Sequence, residues 1–309
     1  MIERKNIFSL LTNEDKNIIS NVSGYNVDKL ITEINDNENI KQKFFSYDKI
    51  VDNFEFNEKG IQILRCVLSD RVFEKKRKDN SLRDEFGYEK NGSIIIENFI
   101  PQDKFQQIEA MFLEVKKKII FDSSPSHNTG FRLDLQNLNP IFDSIVHYLY
   151  GQTNFQYSEV ELICLKHKKM DYQRDLHVDK WFPHFKLWFL PEDTDDKMGP
   201  LHFVKGSHIL SEQKIKWIYR QSLIQSFDAM DLFGDKEYKN YFSHRFYPGT
   251  EYNEYLQKMG FEKETPCAFK KNTLIIFDTR CFHRRGTAPE NNYRFSFRSV
   301  FPRRVALFK

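Results

Sequence analysis

Residues 175–179 read Asp175-Leu176-His177-Val178-Asp179, and in an extended segment His177 and Asp179 leave the backbone on the same face. That pair can chelate one cation. A third ligand is available in His283, just past the apolar run Thr273-Leu274-Ile275-Ile276-Phe277. Two imidazoles and one carboxylate on one face of an octahedron leave the opposite face open for a bidentate co-substrate and for dioxygen (O2). This is the arrangement of non-haem iron(II) sites. The H-x-D spacing alone equally describes a strand histidine hydrogen-bonded to a nearby carboxylate. Arg294, eleven residues after His283, adds a planar, permanently charged fork suited to gripping a carboxylate. Ser296, two residues further along the same strand, offers a hydroxyl on the same side, and Lys166 on a preceding strand is a further candidate for that anion.

Such side chains need a rigid frame. From Tyr157 onward the chain carries short runs rich in β-branched and aromatic residues: Val160–Leu165, Phe185–Leu190, Leu201–Val204, Thr273–Phe277 and Arg294–Val300. Short strands parted by Pro, Gly and Asp turns predict a sandwich or jelly roll. Upstream, Asn91-Gly92 marks a turn, Ser93–Phe99 reads as a buried strand, and Phe105, Ile108, Phe112 and Val115 recur at helical spacing after a capping box at Asp103 and Gln106. Residues 1–87, rich in Asn, Asp, Lys and Glu, read as a mostly helical N-terminal extension. Within it, the basic run Lys75–Lys78 is expected to form a solvated helix face rather than a binding patch, because no aromatics interleave with the charges in sequence. The stretch 211–266 interrupts the strands with helix-like pieces at 214–224 and 252–259. An insertion of that size is expected to act as a lid or substrate-binding element.

Composition excludes several classes. With 309 residues, 40% hydrophobic and 15% aromatic, the chain can bury a large core, and a net charge of +3 identifies neither a nucleic-acid nor a membrane partner. No window approaches a membrane span. The four cysteines, Cys66, Cys164, Cys267 and Cys281, form no C-x-x-C pair and sit in or beside apolar runs, which predicts a reduced, cytoplasmic protein. The expected partner is a small-molecule substrate. Nothing in the sequence sets an oligomeric state.

In combination, the motifs resemble the phytanoyl-CoA dioxygenase family. The resemblance is carried by His177-Val178-Asp179-Lys180-Trp181-Phe182-Pro183, Met198-Gly199-Pro200-Leu201, Lys205-Gly206-Ser207-His208, Asn272–Thr279, Phe282-His283-Arg284-Arg285-Gly286 and Arg294, across residues 90–304. It implies a mainly β fold with flanking helices around a double-stranded β-helix (jelly roll, cupin-like) core occupying residues 88–309. His177, Asp179 and His283 would hold Fe(II), and Arg294 the distal carboxylate of 2-oxoglutarate. The co-substrate would be decarboxylated to succinate as an unactivated C–H bond is hydroxylated. Related halogenases replace the carboxylate ligand by a small residue, so Asp179 favours hydroxylation.

Trp181, Phe182 and Arg284 are candidate substrate contacts on their nearness to the ligands in sequence, with core packing an equal alternative for the two aromatics. Trp188 and Phe189 are assigned to the core. Asp278 is a candidate acceptor for a metal-bound histidine or a turn residue. His208 is expected to hydrogen-bond locally, and Arg284, Arg285, Arg245 and Lys205 to be solvated or paired, with the binding of an anionic substrate as the alternative. Two other classes stay open: a metal-dependent cupin enzyme that does not use 2-oxoglutarate, and a catalytically inactive β-helix binding protein.

Overall fold

The computed structural model describes residues 4–45, 53–79, 84–121, 129–150, 159–166, 172–226, 252–289 and 292–300. The first helix, α1 (Asn13–Ser23), starts at a capping box in which Thr12 and Asp15 satisfy each other's backbone N–H groups. It is followed by α2 (Val27–Asp36), α3 (Glu38–Phe45), α4 (Phe54–Glu58) and the long α5 (Ile61–Asp79). The apolar positions of α2, Val27, Leu30 and Ile34, fall at helical spacing and are all buried. After the short α6 (Tyr88–Asn91), the chain forms β1 (Ser93–Ile96), α7 (Gln102–Phe121), β2 (Arg132–Asp134), α8 (Leu135–Leu138), α9 (Ile141–Tyr150) and β3 (Glu159–Lys166).

Two expectations here need correction. The strand stops at Ile96, not Phe99, because Asn98 takes φ +52° and turns the chain. The helix begins at Gln102, directly after Pro101, so Asp103 lies inside the first turn instead of capping it.

The remaining elements are β4 (Phe185–Leu190), β5 (Leu201–Phe203), α10 (Glu212–Ser226), α11 (Tyr252–Lys258), β6 (Thr265–Pro266), β7 (Thr273–Asp278), β8 (His283–Arg285) and β9 (Tyr293–Val300). They complete two antiparallel sheets: a six-stranded one in the order β1-β7-β4-β9-β3-β2 and a three-stranded one in the order β6-β5-β8. A backbone bridge between His177 and His283 adds residues near 177 to the smaller sheet. The long and short sheets form a double-stranded β-helix, flanked by helices that account for more of the described residues than the strands do.

Alternation along β4 divides the two cores. Phe185, Leu187 and Phe189 face the helices. Phe185 lies 5.8 Å from Phe73 of α5 and 5.5 Å from Tyr150 of α9, while Phe189 lies 6.1 Å from Phe105 of α7. This outer core is continuous with the α1–α5 helices. Lys186, Trp188 and Leu190 face the interior, where Leu190, Phe203, Cys267 and Ile275 form a separate small cluster. Trp188 and Phe189 both pack in a core, but in different ones: Phe189 lies under the helices, and Trp188 packs against the inner cluster while also lining the cavity. All four cysteines are free and buried, and no described helix is long and apolar enough to cross a membrane.

The described parts of the 211–266 insertion turn away from the interior. Tyr219 on α10 donates to the Glu58 carbonyl at the end of α4, 2.8 Å away, and no residue of α10 or α11 lines the central cavity. The aromatic-rich stretch 227–251, with Arg245, lies outside the described residues.

Gly92, at φ +70°, closes the Asn91-Gly92 turn where no side chain fits. A Cβ there would stand 2.5 Å from Cys281 Sγ and 2.6 Å from His208 Nδ1. His208 and His184 are both buried, and burial is the main cause that pushes each down to about 4. Between about pH 4 and 6.5 the unfolded chain binds protons that these folded imidazoles refuse, so stability rises with pH across that window. Each histidine is expected to withdraw up to ~3 kcal/mol as pH falls from 7 to 4. Urea unfolding of wild type and His208→Gln at pH 7 and 5 measures this, and equal pH slopes for the two proteins would remove His208 from the account.

Candidate active site

The site is built on the turn between β7 and β8. Asp278 ends β7 fully buried, with its carboxylate accepting from the Arg280 backbone at 2.9 Å, from Arg280 Nη2 at 2.7 Å and from the Tyr88 hydroxyl at 2.7 Å. Arg280 extends in turn to Asp70 on α5. Burial raises the Asp278 carboxyl, but Arg280 outweighs it and holds the group below its ordinary value. The buried Lys214 ammonium donates to the Ser207 and Arg280 carbonyls, and Ser207 Oγ accepts from Phe282 N at 2.8 Å. Residues 279–282 are thus fixed from three sides, and β8 starts at His283 in a set direction.

His283 and His177 exchange backbone hydrogen bonds of 2.9 and 2.8 Å, which places their rings on one face with centroids 4.4 Å apart. Val178 between the ligands points into the outer core, and Asp179 returns to the cavity. One ligand atom each from His177, Asp179 and His283 lies within 4.8 Å of the others, close enough to hold a metal ion. His177 Nδ1 lies 2.6 Å from the Asp175 carbonyl and His283 Nδ1 2.9 Å from the Cys281 carbonyl. Carbonyls only accept, so each Nδ1 carries the proton and each Nε2 presents its lone pair toward Asp179. Asp179 meets His283 Nε2 at 3.2 Å and His177 Nε2 at 3.8 Å. Burial raises its carboxyl, yet His283 and His177 when protonated, with Lys186 beside them, bring it well below the ordinary carboxylate value. Two neutral imidazoles and an ionised carboxylate, with hydrogen-bonded outer nitrogens, make a donor set that fits a divalent cation.

These groups open on a cavity of about 270 Å³. Arg294 and Ser296, on the inward face of β9, line it together with the triad; Arg294 is buried and donates to the Gly199 carbonyl. Arg284 also lines the cavity, but Glu264 grips its guanidinium, with Nε 2.7 and 2.9 Å from the two carboxylate oxygens. Burial raises Glu264, and His202 with Arg284 outweigh it, holding it at about 2.

Other expectations fall away from the cavity. Trp181 and Phe182 do not line it. The chain turns after Asp179 and buries both in the outer core, where the Arg65 guanidinium lies 4.6 Å from the Phe182 ring centroid. Asp278 serves the turn and Arg280, while the Cys281 carbonyl takes the His283 proton. His208 packs 5.2 Å from the Tyr88 ring, and Lys205 is exposed. The Lys166 backbone pairs with Tyr293, one position out of step with Arg294; its side chain lies outside the described residues. Gln173, Lys186, Trp188 and Arg298 are among the lining residues that went unnamed as site candidates. Lys186 Nζ lies 2.7 Å from Asp179 Oδ2. Counting alternate positions back from Leu190 would have put Lys186 and Trp188 on the inner face.

No family model matches the chain, and no curated protein does. Among solved structures it is similar to AviO1 from Streptomyces viridochromogenes Tue57, at 10% identity over 69% of this chain and 90% of that one, with a TM-score of 0.40. The epimerase SnoN, in complex with Fe3+, alpha ketoglutarate and nogalamycin RO, gives 12% identity over 75% and 83% and a TM-score of 0.39. EctD from S. alaskensis, in its apoform, gives 11% over 72% and 75% and a TM-score of 0.37. The fold assignment rests on the strand order and the site on the triad geometry, not on these distant likenesses.

Proposed function

We propose that this chain is an Fe(II)- and 2-oxoglutarate-dependent oxygenase of the phytanoyl-CoA dioxygenase type, hydroxylating an unactivated C–H bond of a small to medium-sized metabolite. The observation that carries the reading is the placing of His177, Asp179 and His283 in one cavity with a buried Arg294. When bound, iron would let dioxygen act as the oxidant, one oxygen atom going to the C–H bond and the other to the keto acid, which would give up two electrons and leave as succinate and carbon dioxide.

The protein's part is positioning and exclusion of water. His177 and His283 offer fixed Nε2 lone pairs, and Asp179 supplies the negative charge. Arg294 and Ser296 orient the distal carboxylate of 2-oxoglutarate, so the other end of the molecule is directed toward the triad. Trp188, Leu190 and Ile275 give the cavity an apolar wall. An aspartate at 179 fills the position that a halide would need, which favours hydroxylation. The four free, buried cysteines favour a reducing, cytoplasmic setting.

Anaerobic addition of Fe(II) and then 2-oxoglutarate to the full chain tests the proposal directly. A weak visible charge-transfer band, saturating at one equivalent of iron, is expected; a colourless mixture at saturating co-substrate would sink it.

A further inference from the structure

The wall of the cavity carries more positive charge than the proposed co-substrate uses. Lys186, Arg284, Arg285, Arg294 and Arg298 line it. Among the described residues, Asp179 holds Lys186 and Glu264 holds Arg284. Iron(II) and the 2-oxoglutarate dianion bring equal and opposite charges, so their arrival adds no net counter-charge for Arg298. Arg294 is assigned to the distal carboxylate. Arg298, four residues along β9, is not.

Arg298 Nε donates to Ser296 Oγ at 2.8 Å, while Nη2 is buried with no hydrogen-bond partner. Glu161 stands opposite Arg298 in the β3–β9 register without pairing with it: among the described residues Arg298 Nη2 has no partner. Burial first, and the neighbouring Arg285 second, push the Arg298 guanidinium down to about 10. A guanidinium held half-buried beside a like charge is costly until an anion meets it, and its fork matches an oxyanion. Trp188, across the β4–β9 pair from Arg298, supplies an apolar surface next to that fork.

We propose that Arg298 anchors an oxyanion of the substrate, so that the oxygenase acts on an organic acid or phosphate ester with an apolar body. This rests on the oxygenase reading for the word substrate, but the anion site itself is testable without iron. Calorimetric titration of the full chain, metal-free and as the anaerobic Fe(II)–2-oxoglutarate complex, would use sulfate and acetate as probes, with acetamide as the neutral control. Saturable binding of one equivalent of anion to the complex is expected, weakened at least about tenfold in Arg298→Gln and partly restored in Arg298→Lys. The charge-transfer midpoint for 2-oxoglutarate should stay within about twofold of wild type in Arg298→Gln. Tighter sulfate than acetate assigns a phosphoryl group, and the reverse a carboxylate. Unchanged anion binding in Arg298→Gln overturns the inference. So does a co-substrate midpoint displaced as far as in Arg294→Gln, which would give Arg298 to 2-oxoglutarate instead. A missing band with Arg298-dependent anion binding intact would overturn the oxygenase reading alone.

Discussion

Asp179→Ala is expected to remove the charge-transfer band and reduce succinate formation to background, with His177→Ala and His283→Ala behaving alike. Asp179 is the single anionic donor in the triad. Without it, two neutral imidazoles face a divalent cation, and the positive charge of Lys186, 2.7 Å from the carboxylate in wild type, is left beside the site. Partners that merely orient a ligand cost about 10–100-fold in metal affinity when removed, so loss of a direct ligand should cost ~10³-fold or more. Iron titration followed at the band, with circular dichroism to show that the fold persists, measures this. An Asp179→Ala protein that binds iron and 2-oxoglutarate like wild type would remove the triad from its role.

Arg294→Ala should raise the apparent KM for 2-oxoglutarate by about 10²-fold, as expected when one partner of a buried, hydrogen-bonded charge pair is truncated. The effect should sit mainly in KM, because Arg294 acts on the end of the co-substrate remote from the reacting carbon. Arg294→Lys restores the charge but not the planar fork, so an intermediate value is expected. The Michaelis curve for 2-oxoglutarate, read as succinate release, decides the matter. A KM equal to wild type would assign the distal carboxylate elsewhere, with Arg298 the first residue to examine.

What the sequence made readable was whatever depends on short-range periodicity. The shared face of His177 and Asp179 follows from the two-residue repeat of extended chain, and Arg294 and Ser296 follow the same rule on β9. The closure of the triad was not readable that way. It depends on a backbone bridge between residues 177 and 283, which only the assembled smaller sheet creates. Nearness in sequence left Trp181 and Phe182 open between cavity and core: the turn after Asp179 carries them to the helix side, whereas Lys186 and Trp188, further along, come back to the cavity. For residues 1–87 composition alone suggested a helical extension, and nothing local revealed where such helices dock. That is set by contacts such as Arg280 with Asp70, between partners 210 residues apart.

That last contact carries a consequence for the architecture. Arg280 sits three residues before an iron-ligand candidate, and one of its two carboxylate neighbours is supplied by α5, from outside the β-helix. A β-helix cut free of its leading helices would keep a guanidinium sealed in its interior with half its counter-charge gone, and the segment bearing His283 would lose one of its three moorings. The leading helices therefore line no part of the cavity, yet they brace from outside the turn on which His283 is carried.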